Sequence, residues 1–251
     1  MLSLKRRAGT YSRDQDVHGK LLDADLRDRK AEKIRAVLRD IGALGSAASI
    51  LDIGCSHGYI LKNLAHNAGY CVGVDVDREI DRQQGANIAY VMADGERLPF
   101  KTGTFDVVIC NHVYEHTDAP AVMLAEIRRL LRPDGACYFA GPNKFSLVEP
   151  HYQLPFLSWL PGTLADWYVR ITGKGGAYLA RPYSYRRLQT LLAPFVVEDY
   201  TPRIIDQPAL FHVDDLLKPG SAMQWLAKLA YRFCRWLFPT YIFVLRPRPG
   251  D

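Results

Sequence analysis

The sequence predicts an α/β fold built around a parallel sheet, and one stretch near the N-terminus carries most of that prediction. Residues 50–65 (ILDIGCSHGYILKNLA) begin with an apolar run, pass through a turn of small residues and end with apolar residues at helical spacing. A continuous apolar run is typical of a strand that is buried on both faces. Strand and helix patterns then alternate along the chain, as they do in doubly wound parallel sheets.

The turn that follows the first predicted strand indicates a ligand site. Gly54, Ser56 and Gly58 allow a tight turn, and Gly69 is placed where a helix C′ glycine is expected. A strand, a turn and a helix N-terminus in this order predict unpaired amide N–H groups around an anionic or strongly polar ligand.

Three kinds of ligand site are compatible with this turn. A dinucleotide site needs G-x-G-x-x-G, and the glycine spacing here is different. A hydrolase nucleophile elbow is formally matched by Gly54-x-Ser56-x-Gly58. In an S-adenosylmethionine (SAM) turn, Asp52 and the loop amides would hold the amino-acid end of the ligand.

Acidic residues at the ends of the next strands favour the SAM turn. The second predicted strand, 70–74, ends in Asp75, and the third, 88–92, is followed by Asp94. A carboxylate at the tip of the second strand can accept hydrogen bonds from both hydroxyls of a ribose. An elbow serine would not need acids at successive strand tips.

Several short motifs, in consistent order over about residues 30–142, resemble the class I SAM-dependent methyltransferases. The similarity is closest to the small-molecule enzymes of ubiquinone and menaquinone pathways. The matching motifs are Asp52-x-Gly54-Cys55-x-x-Gly58, Gly73-Val74-Asp75, Ala93-Asp94, Leu98-Pro99-Phe100, Phe105-Asp106-Val107-Val108, Glu115-His116 and Leu131-Arg132-Pro133-Asp134-Gly135. One departure is Ser56-His57, where the family usually has Gly followed by Thr or Ser.

The resemblance implies a Rossmann-like sheet of seven strands, mostly parallel, with the last strand antiparallel beside strand six and helices on both faces. It implies SAM as the cofactor, with Asp75 on the ribose and Asp94 on the adenine amino group. The cofactor-binding residues that it implies are Asp52, Gly54, Cys55, Ser56, Gly58, Asp75, Val76, Ala93, Asp94, Gly95, Asn111 and His112.

We predict one methyltransferase domain over 1–251, in three parts. Residues 18–141 form the SAM-binding core, residues 142–183 are an insertion that caps the substrate mouth (the cap insertion), and residues 184–246 complete the sheet and its helices. The remaining elements that the sequence predicts are a helix at His18–Ile41, a turn at 133–135, helices at 163–171 and 184–192, a strand at 195–201, a loop at 202–220, a helix at 221–237 and a strand at 240–245.

Histidines near the strand ends are the candidates for removing a proton from the acceptor. His116 is our first choice as catalytic base, and His151 of the cap insertion is the second. We predict no metal, because Glu115 and Asp118 lack a third ligand in the sequence. A SAM- or nucleotide-binding protein without catalysis is the competing function, and a hydrolase that uses Ser56 is a distant third.

Composition limits the partners. Five cysteines without a Cys-x-x-Cys pair indicate core thiols in a reducing cytoplasm, and no nucleic-acid-binding module is recognisable. Residues 144–251 carry the whole net charge of +5 and most of the aromatic residues. We therefore expect a small-molecule or lipid- or glycan-linked acceptor, anionic in character, methylated on oxygen. The sequence defines no oligomeric state.

The predicted helix at 221–237 has a narrow polar stripe of Gln224, Lys228, Arg232 and Arg235. We expect its wide apolar face to pack against the sheet. The alternative is peripheral contact of this basic, aromatic helix with an anionic membrane.

Overall fold

The computed structural model describes residues 24–77 and 81–249, and its centre is a single seven-stranded sheet of order β3-β2-β1-β4-β5-β7-β6. β7 runs antiparallel to both of its neighbours, and all other pairs are parallel. The predicted Rossmann-like fold is therefore confirmed, with β7 inserted between strands five and six. The strands are β1 Gly45–Ile53, β2 Ala68–Asp75, β3 Ile88–Met92, β4 Phe105–Asn111, β5 Leu131–Pro142, β6 Phe195–Asp199 and β7 Thr240–Pro247.

Helices cover both faces of the sheet. The helices are α1 Ala24–Asp40, α2 Tyr59–Leu64, α3 Pro120–Leu130, α4 Gly162–Ile171, α5 Tyr185–Leu191, α6 Thr201–Asp206 and α7 Ala222–Cys234. Buried residues of α3, α5 and α7 share one apolar core with one face of the sheet, and those of α1 and α2 and the residues around α6 share a second core with the other. The predicted start of the first helix, residues 18–23, lies outside the described residues.

The burial of β1 explains its continuous apolar run. β1 is paired with β2 on one side and with β4 on the other. Ile50 points into one core, whereas Leu51 and Ile53 point into the other, and all three are almost completely buried. Because side chains alternate across a sheet that is covered on both faces, successive positions of such a strand are apolar, and the buried Asp52 is the exception in this run.

Two predicted turn features are wrong. Gly69 does not end a helix: α2 stops at Leu64, a 3₁₀ turn follows, and Gly69 lies in β2. A Cβ at Gly69 would lie 2.8 Å from the carbonyl oxygen of Ser46, so this glycine serves close backbone approach. Residues 133–135 belong to β5, where the pairing with β4 shifts register.

The predicted strand at 195–201 and loop from 202 are also wrong in part, because β6 ends at Asp199 and α6 begins at Thr201. An Asp199 carboxylate oxygen accepts a hydrogen bond from the Thr201 N–H, and Pro202 occupies the first turn. Both features favour a helix start.

The orientation predicted for α7 is inverted. Gln224, a member of the predicted polar stripe, is buried, whereas Trp225, Leu226 and Phe233 are each more than half exposed. Gln224 is held because its side-chain N–H₂ donates to the carbonyl oxygens of Ile205 and Asp206. Together with the Tyr231 hydroxyl, which donates to an Asp199 carboxylate oxygen, Gln224 holds the helix away from the orientation that its apolar pattern favours.

The cap insertion, residues 142–183, has a small apolar core of its own. Tyr152, Leu154, Leu157, Ala165 and Val169 form that cluster, the last two from α4. The division of the chain into core, cap and C-terminal parts stays a prediction, which this separate cluster supports. Among the described residues, no helix is long and apolar enough to cross a membrane.

Candidate active site

The residues predicted to bind the cofactor lie at one edge of the sheet. They follow the carboxyl ends of β1, β2, β3 and β4, which are neighbours in the order β3-β2-β1-β4. The chain crosses over between β1 and β4, and crevices at such a crossover are where open α/β sheets bind ligands. The structure therefore brings the predicted set to one place.

The backbone N–H groups of the loop after β1 already have hydrogen-bond acceptors, most of them in β2, which the sequence did not predict. The Gly54 and Cys55 N–H groups both donate to the Val74 carbonyl, at 2.8 and 3.1 Å. The Ser56 N–H donates to an Asp75 carboxylate oxygen at 2.8 Å, and the Gly58 N–H donates to the Cys55 carbonyl. The expectation of unpaired amides is wrong for these four residues, because the end of β2 supplies acceptors to the loop.

Asp52 is the buried acid beneath this loop. Its side chain is 1% exposed, and its Oδ2 atom has no hydrogen-bond partner among the described residues. Burial raises the pKa of Asp52 well above its ordinary value, and the nearby charge of Asp75 adds to the rise. An unpartnered carboxylate oxygen is costly in an interior, so a cationic ligand group would stabilise it.

The Cys55 side chain packs beneath the loop. Its Sγ atom lies against Gly73, where an added Cβ would come within 2.7 Å of the sulfur. Tyr90 of β3 covers the same glycine, and its hydroxyl oxygen would lie 2.0 Å from a Cβ at Gly58. Gly58 also has a φ of +77°, so a side chain there meets both backbone strain and steric overlap.

The acids after β2 and β3 remain accessible to a ligand. Asp75 is half-buried and uses one oxygen for the Ser56 N–H and the other for the Asp77 N–H. Asp94 is also half-buried, and one of its oxygens accepts from the Glu96 N–H at 3.0 Å. A carboxylate has about four acceptor positions, so each acid keeps capacity for ligand hydroxyl or amino groups. Val76, Ala93, Gly95 and Asn111 lie beside them at the same edge.

Three histidines surround one buried carboxylate after β4. Glu115 is 1% exposed, and its Oε1 atom lies 3.3 Å from His151 Nε2, 3.5 Å from His112 Nδ1 and 3.8 Å from His116 Nε2. The His151 ring is also edge-on to the rings of His112 and His116. The structure therefore joins the two candidate bases, one from the core and one from the cap insertion, through Glu115.

The protonation preferences of these groups differ. Burial alone would raise the pKa of Glu115, but hydrogen bonds from His112 and His151 outweigh it and hold that pKa well below its usual range. Burial lowers the pKa of His116 to about 4, with Glu115 opposing. For His151, burial lowers the pKa, but the hydrogen bond and charge of Glu115 outweigh it and raise the pKa above its ordinary value.

Tyr114 fixes the loop that carries Glu115. Its ring is fully buried, its hydroxyl donates to the Pro142 carbonyl at 2.6 Å, and the same oxygen accepts from the Tyr183 N–H at 3.0 Å. Gly141 is required beneath it, because a Cβ there would lie 2.2 Å from the ring. The Arg181 N–H donates to the Glu115 carbonyl at 2.8 Å. The end of the cap insertion is thereby bonded to the active-site loop.

The same cluster has a spacing that would admit a divalent cation. One ligand atom from each of His112, Glu115 and His151 lies within 4.8 Å of the others. Asp118, considered from the sequence, is not part of this group. His151 would be the third ligand. The spacing of residues in the sequence could not indicate it, because His151 is far from Glu115 in the chain.

Glu149 is a site residue that the sequence analysis missed. It is fully buried in the cap insertion, and its Oε1 atom has no hydrogen-bond partner among the described residues. Burial raises its pKa, whereas the charge of His151 opposes the rise. An acid two residues before a histidine, within an otherwise apolar segment, was the available signal.

Comparison with known proteins agrees with this geometry. Residues 51–139 match a family described as a methyltransferase domain. The match spans the loop after β1, both strand-end acids and Glu115. Residues 51–139 belong to a class I SAM-dependent methyltransferase domain.

Curated relatives match less than half of this chain in several cases. A ubiquinone biosynthesis O-methyltransferase of Methylococcus capsulatus is 30% identical over 102 residues, which are 38% of this chain and 43% of that protein. The chain thus spans about half the length, or less, of the curated relatives that it matches.

Two solved structures share the fold. Geranyl diphosphate C-methyltransferase from Streptomyces coelicolor has a TM-score of 0.51 at 15% identity, covering 86% of this chain and 77% of that one. A phosphoethanolamine N-methyltransferase of Haemonchus contortus has a TM-score of 0.53 at 18% identity, covering 86% of this chain and 53% of that one. At these identities the similarity establishes the fold.

Proposed function

We propose that this protein transfers a methyl group from SAM to an oxygen atom of a small-molecule acceptor. The proposal rests on one observation: the predicted cofactor residues and the histidine cluster lie at the same edge of the sheet. The strand-end acids and the loop after β1 lie beside a cluster in which Glu115 holds His112, His116 and His151. Acids suited to a nucleoside ligand and imidazoles suited to proton transfer therefore share one sheet edge.

The residues at this edge fit SAM. The unpartnered Oδ2 of Asp52 would be stabilised by the ammonium group of the amino-acid end. Asp75 would accept hydrogen bonds from the ribose hydroxyls, and Asp94 from the adenine amino group. When bound, SAM supplies an electrophilic methyl group on a sulfonium, so that the protein's task is to align the acceptor and to manage one proton.

We propose His151 as the base, with Glu115 as its positioning residue. The Glu115 carboxylate accepts a hydrogen bond from His151 Nε2, which leaves Nδ1 of that ring to take the acceptor's proton. This nitrogen would take the proton that the acceptor hydroxyl loses on methylation, while the bond between the methyl group and the sulfonium sulfur would break to leave a neutral thioether. His116, preferred from the sequence, has a pKa of about 4 and is a weaker base at neutral pH.

The acceptor class rests on the cap insertion and on the relatives. The curated relative named above is an O-methyltransferase of ubiquinone biosynthesis, which supports an oxygen acceptor on a small molecule. Arginines at the end of the cap insertion support an anionic or lipid- or glycan-linked molecule, because guanidinium groups bind phosphate and carboxylate well. The five free cysteines fit the expected cytoplasmic location.

Calorimetry with SAM tests the cofactor assignment. We expect the purified protein to bind SAM and its demethylated product, but not NAD. Asp75→Ala should weaken SAM binding by about 1.5–3 kcal/mol, the value of hydrogen bonds to a charged group. Asp134→Ala, an exposed acid at the other end of the sheet, is the control and should bind normally. Equal SAM affinity in Asp75→Ala would overturn the assignment.

Methyl incorporation separates an enzyme from a binding protein without catalysis. The protein is incubated with methyl-labelled SAM and a small-molecule extract, and labelled products are identified by mass spectrometry. We expect a labelled ether or ester. SAM binding without any labelled product, for extracts made in both water and organic solvent, would favour the binding-only alternative. Label unaffected by Ser56→Ala would exclude a covalent role for that serine.

A further inference from the structure

The outer face of α7 is unusually apolar for a surface. Trp225 is 60% exposed, Leu226 52% and Phe233 68%, and Trp236 in the following 3₁₀ turn is 50% exposed. At 100° per residue these positions fall on one side of the helix. Contiguous exposed apolar side chains on this scale mark an interaction surface.

The opposite side of α7 is anchored by polar bonds, so that the apolar side cannot turn inward. The Tyr231 hydroxyl donates to an Asp199 carboxylate oxygen at 2.5 Å. Gln224 donates to the carbonyl oxygens of Ile205 and Asp206, and its Oε1 accepts from the Gly220 N–H at 2.8 Å. Rotating the helix would leave these buried polar groups without partners, at a cost of about 1–3 kcal/mol for each.

The apolar side of α7 continues onto the cap insertion through a chain of rings. The Phe145 ring lies 6.2 Å from the Trp236 ring and 5.4 Å from the Trp159 ring, and Phe156 lies 5.6 Å from Trp159. Phe156 is 51% exposed and Trp159 37%. We call this set the α7–cap surface; it consists of Trp225, Leu226, Phe233, Trp236, Phe156 and Trp159.

The charges around the α7–cap surface favour an anionic occupant. Residues 222–239, which contain α7 and the 3₁₀ turn after it, have three Lys or Arg residues and no Asp or Glu. Lys228, Arg232 and Arg235 lie along one flank of α7, although Lys228 is paired with Asp206 at 2.9 Å. A second copy of this chain would bring two basic surfaces together, which is unfavourable. Residues 1–23 are also net basic and are disfavoured as a cover for the same reason.

We propose that the α7–cap surface docks on an anionic lipid bilayer. A helix with an apolar face and a basic flank lies in the plane of the membrane interface, where tryptophan is enriched. All four tryptophans of the chain are more than a third exposed, and three of them belong to this surface.

Docking would bring the mouth of the site to the lipid. Residues 147–156 form a hairpin closed by hydrogen bonds from Phe156 N–H to Leu147 and from Glu149 N–H to Leu154. Phe156 lies on its exposed side, whereas His151 reaches Glu115. A lipid-linked acceptor would then enter the site from the bilayer. This route for the acceptor rests on the proposed function, whereas the docking does not depend on that function.

Vesicle flotation tests the docking. The full chain is mixed with phosphatidylcholine vesicles, with and without about a third phosphatidylglycerol, at low and high salt. We expect binding to the anionic vesicles that weakens with salt. Trp225→Ser/Phe233→Ser should reduce the bound fraction at least about tenfold. Val122→Ser/Val196→Ser, at positions 49% and 50% exposed outside the surface, is the matched control and should bind normally.

A second pair of variants tests the charge. Arg232→Gln/Arg235→Gln should lower the affinity for anionic vesicles by about tenfold, whereas Lys101→Gln/Arg128→Gln should not. Far-UV circular dichroism and a cooperative urea transition confirm that every variant is folded, so that the flotation result does not depend on the proposed function. Failure of the full chain to float with either vesicle would overturn the proposal. So would self-association, measured by sedimentation, that Trp225→Ser/Phe233→Ser abolishes, because the occupant would then be a second copy.

Discussion

The cofactor edge, from β1 through the loop after β4, and the acceptor side, from the cap insertion to α7, are built differently. At the cofactor edge the functional residues lie at or just after the ends of strands, and the loop after β1 is held by hydrogen bonds to β2. On the acceptor side the important contacts join distant segments, as between His151 and Glu115 or between Gln224 and Ile205. The first region is positioned by local backbone geometry, whereas the second is positioned by tertiary contacts of single side chains.

The largest expected effect tests whether the acceptor side supplies the base. His151→Ala should lower kcat by roughly 10²–10⁴-fold while SAM affinity stays near normal, because only proton transfer is lost. His116→Ala should have a smaller effect, and His66→Ala, at an exposed position of the turn after α2, none. The measurement is a pH–rate profile for each variant. A full loss in His116→Ala with normal His151→Ala rates would restore the base that the sequence favoured.

The two histidines should also affect stability in opposite pH ranges. The pKa of His116 is lowered to about 4 in the folded protein, so the unfolded chain binds this proton first. Its contribution is full above about pH 6.5 and is lost as the pH falls toward 4, by up to about 3 kcal/mol. The pKa of His151 is raised, so its contribution is full below about pH 6.5 and is lost as the pH rises through its folded value.

Urea unfolding of His116→Gln and His151→Gln between pH 4 and 8 measures these contributions. We expect His116→Gln to lose stability less steeply than the wild type on acidification, and His151→Gln to lose it less steeply above pH 6.5. Both rings lie against Glu115 and His112, which remain in each variant; the pKa of Glu115 is held well below this pH range, and burial lowers the pKa of His112. A slope in His116→Gln equal to that of the wild type below pH 6.5 would contradict the neutral, buried imidazole.

The difference between the regions explains what could be predicted from the sequence. The range of β3 and the acids Asp75 and Asp94 were predicted, because apolar runs and the residues after them are local signals. The partners of the loop amides were not, since they depend on how close the end of β2 approaches. The Glu115–His151 pair joins residues 36 positions apart, and no local pattern indicates it.

The orientation of α7 is a second feature that depends on tertiary contacts, and here the sequence pattern led to a wrong prediction. Its apolar pattern predicts a face that packs on the sheet, and hydrogen bonds made by Gln224 and Tyr231 decide otherwise. A buried polar group that keeps its partners can outweigh the burial of an apolar side chain, because both contributions are of the order of 1–3 kcal/mol. Periodicity therefore predicts that a helix forms more reliably than which side it buries.

A series of glycine substitutions tests how tightly backbone geometry constrains the cofactor edge. Gly58→Ala combines a φ of +77° with a Cβ 2.0 Å from the Tyr90 hydroxyl oxygen, so we expect a loss of about 2–3 kcal/mol in unfolding free energy. Gly103→Ala has a φ of +65° but open space, and should lose about 1 kcal/mol. Gly162→Ala in α4 has neither constraint and should stay within about 0.5 kcal/mol of the wild type.

Chemical denaturation of the three glycine variants measures this order. Tyr90→Phe in the Gly58→Ala background removes the overlapping oxygen and should recover part of the loss. Equal stability of Gly58→Ala and Gly162→Ala would mean that the loop after β1 is free to rearrange, contrary to a geometry fixed by the backbone.

The smallest expected effect concerns the charge at the acceptor mouth. Arg181 is exposed, and its backbone N–H donates to the Glu115 carbonyl, so that its main chain is bonded directly to the loop that carries Glu115. Arg187 instead stacks over the Tyr183 ring at 3.8 Å, and Arg170 donates to the Gly176 carbonyl.

For an anionic acceptor, Arg181→Gln should raise KM by about threefold to tenfold at low salt, with kcat and SAM affinity unchanged, because an exposed charge pair contributes about 1 kcal/mol. Arg186→Gln/Arg187→Gln should change KM less, and high salt should remove the difference between Arg181→Gln and the wild type. KM is measured with the acceptor found by labelling. If KM depends neither on salt nor on Arg181, the acceptor is recognised through its apolar parts. The cationic residues of the acceptor side would then serve only the docking on lipid.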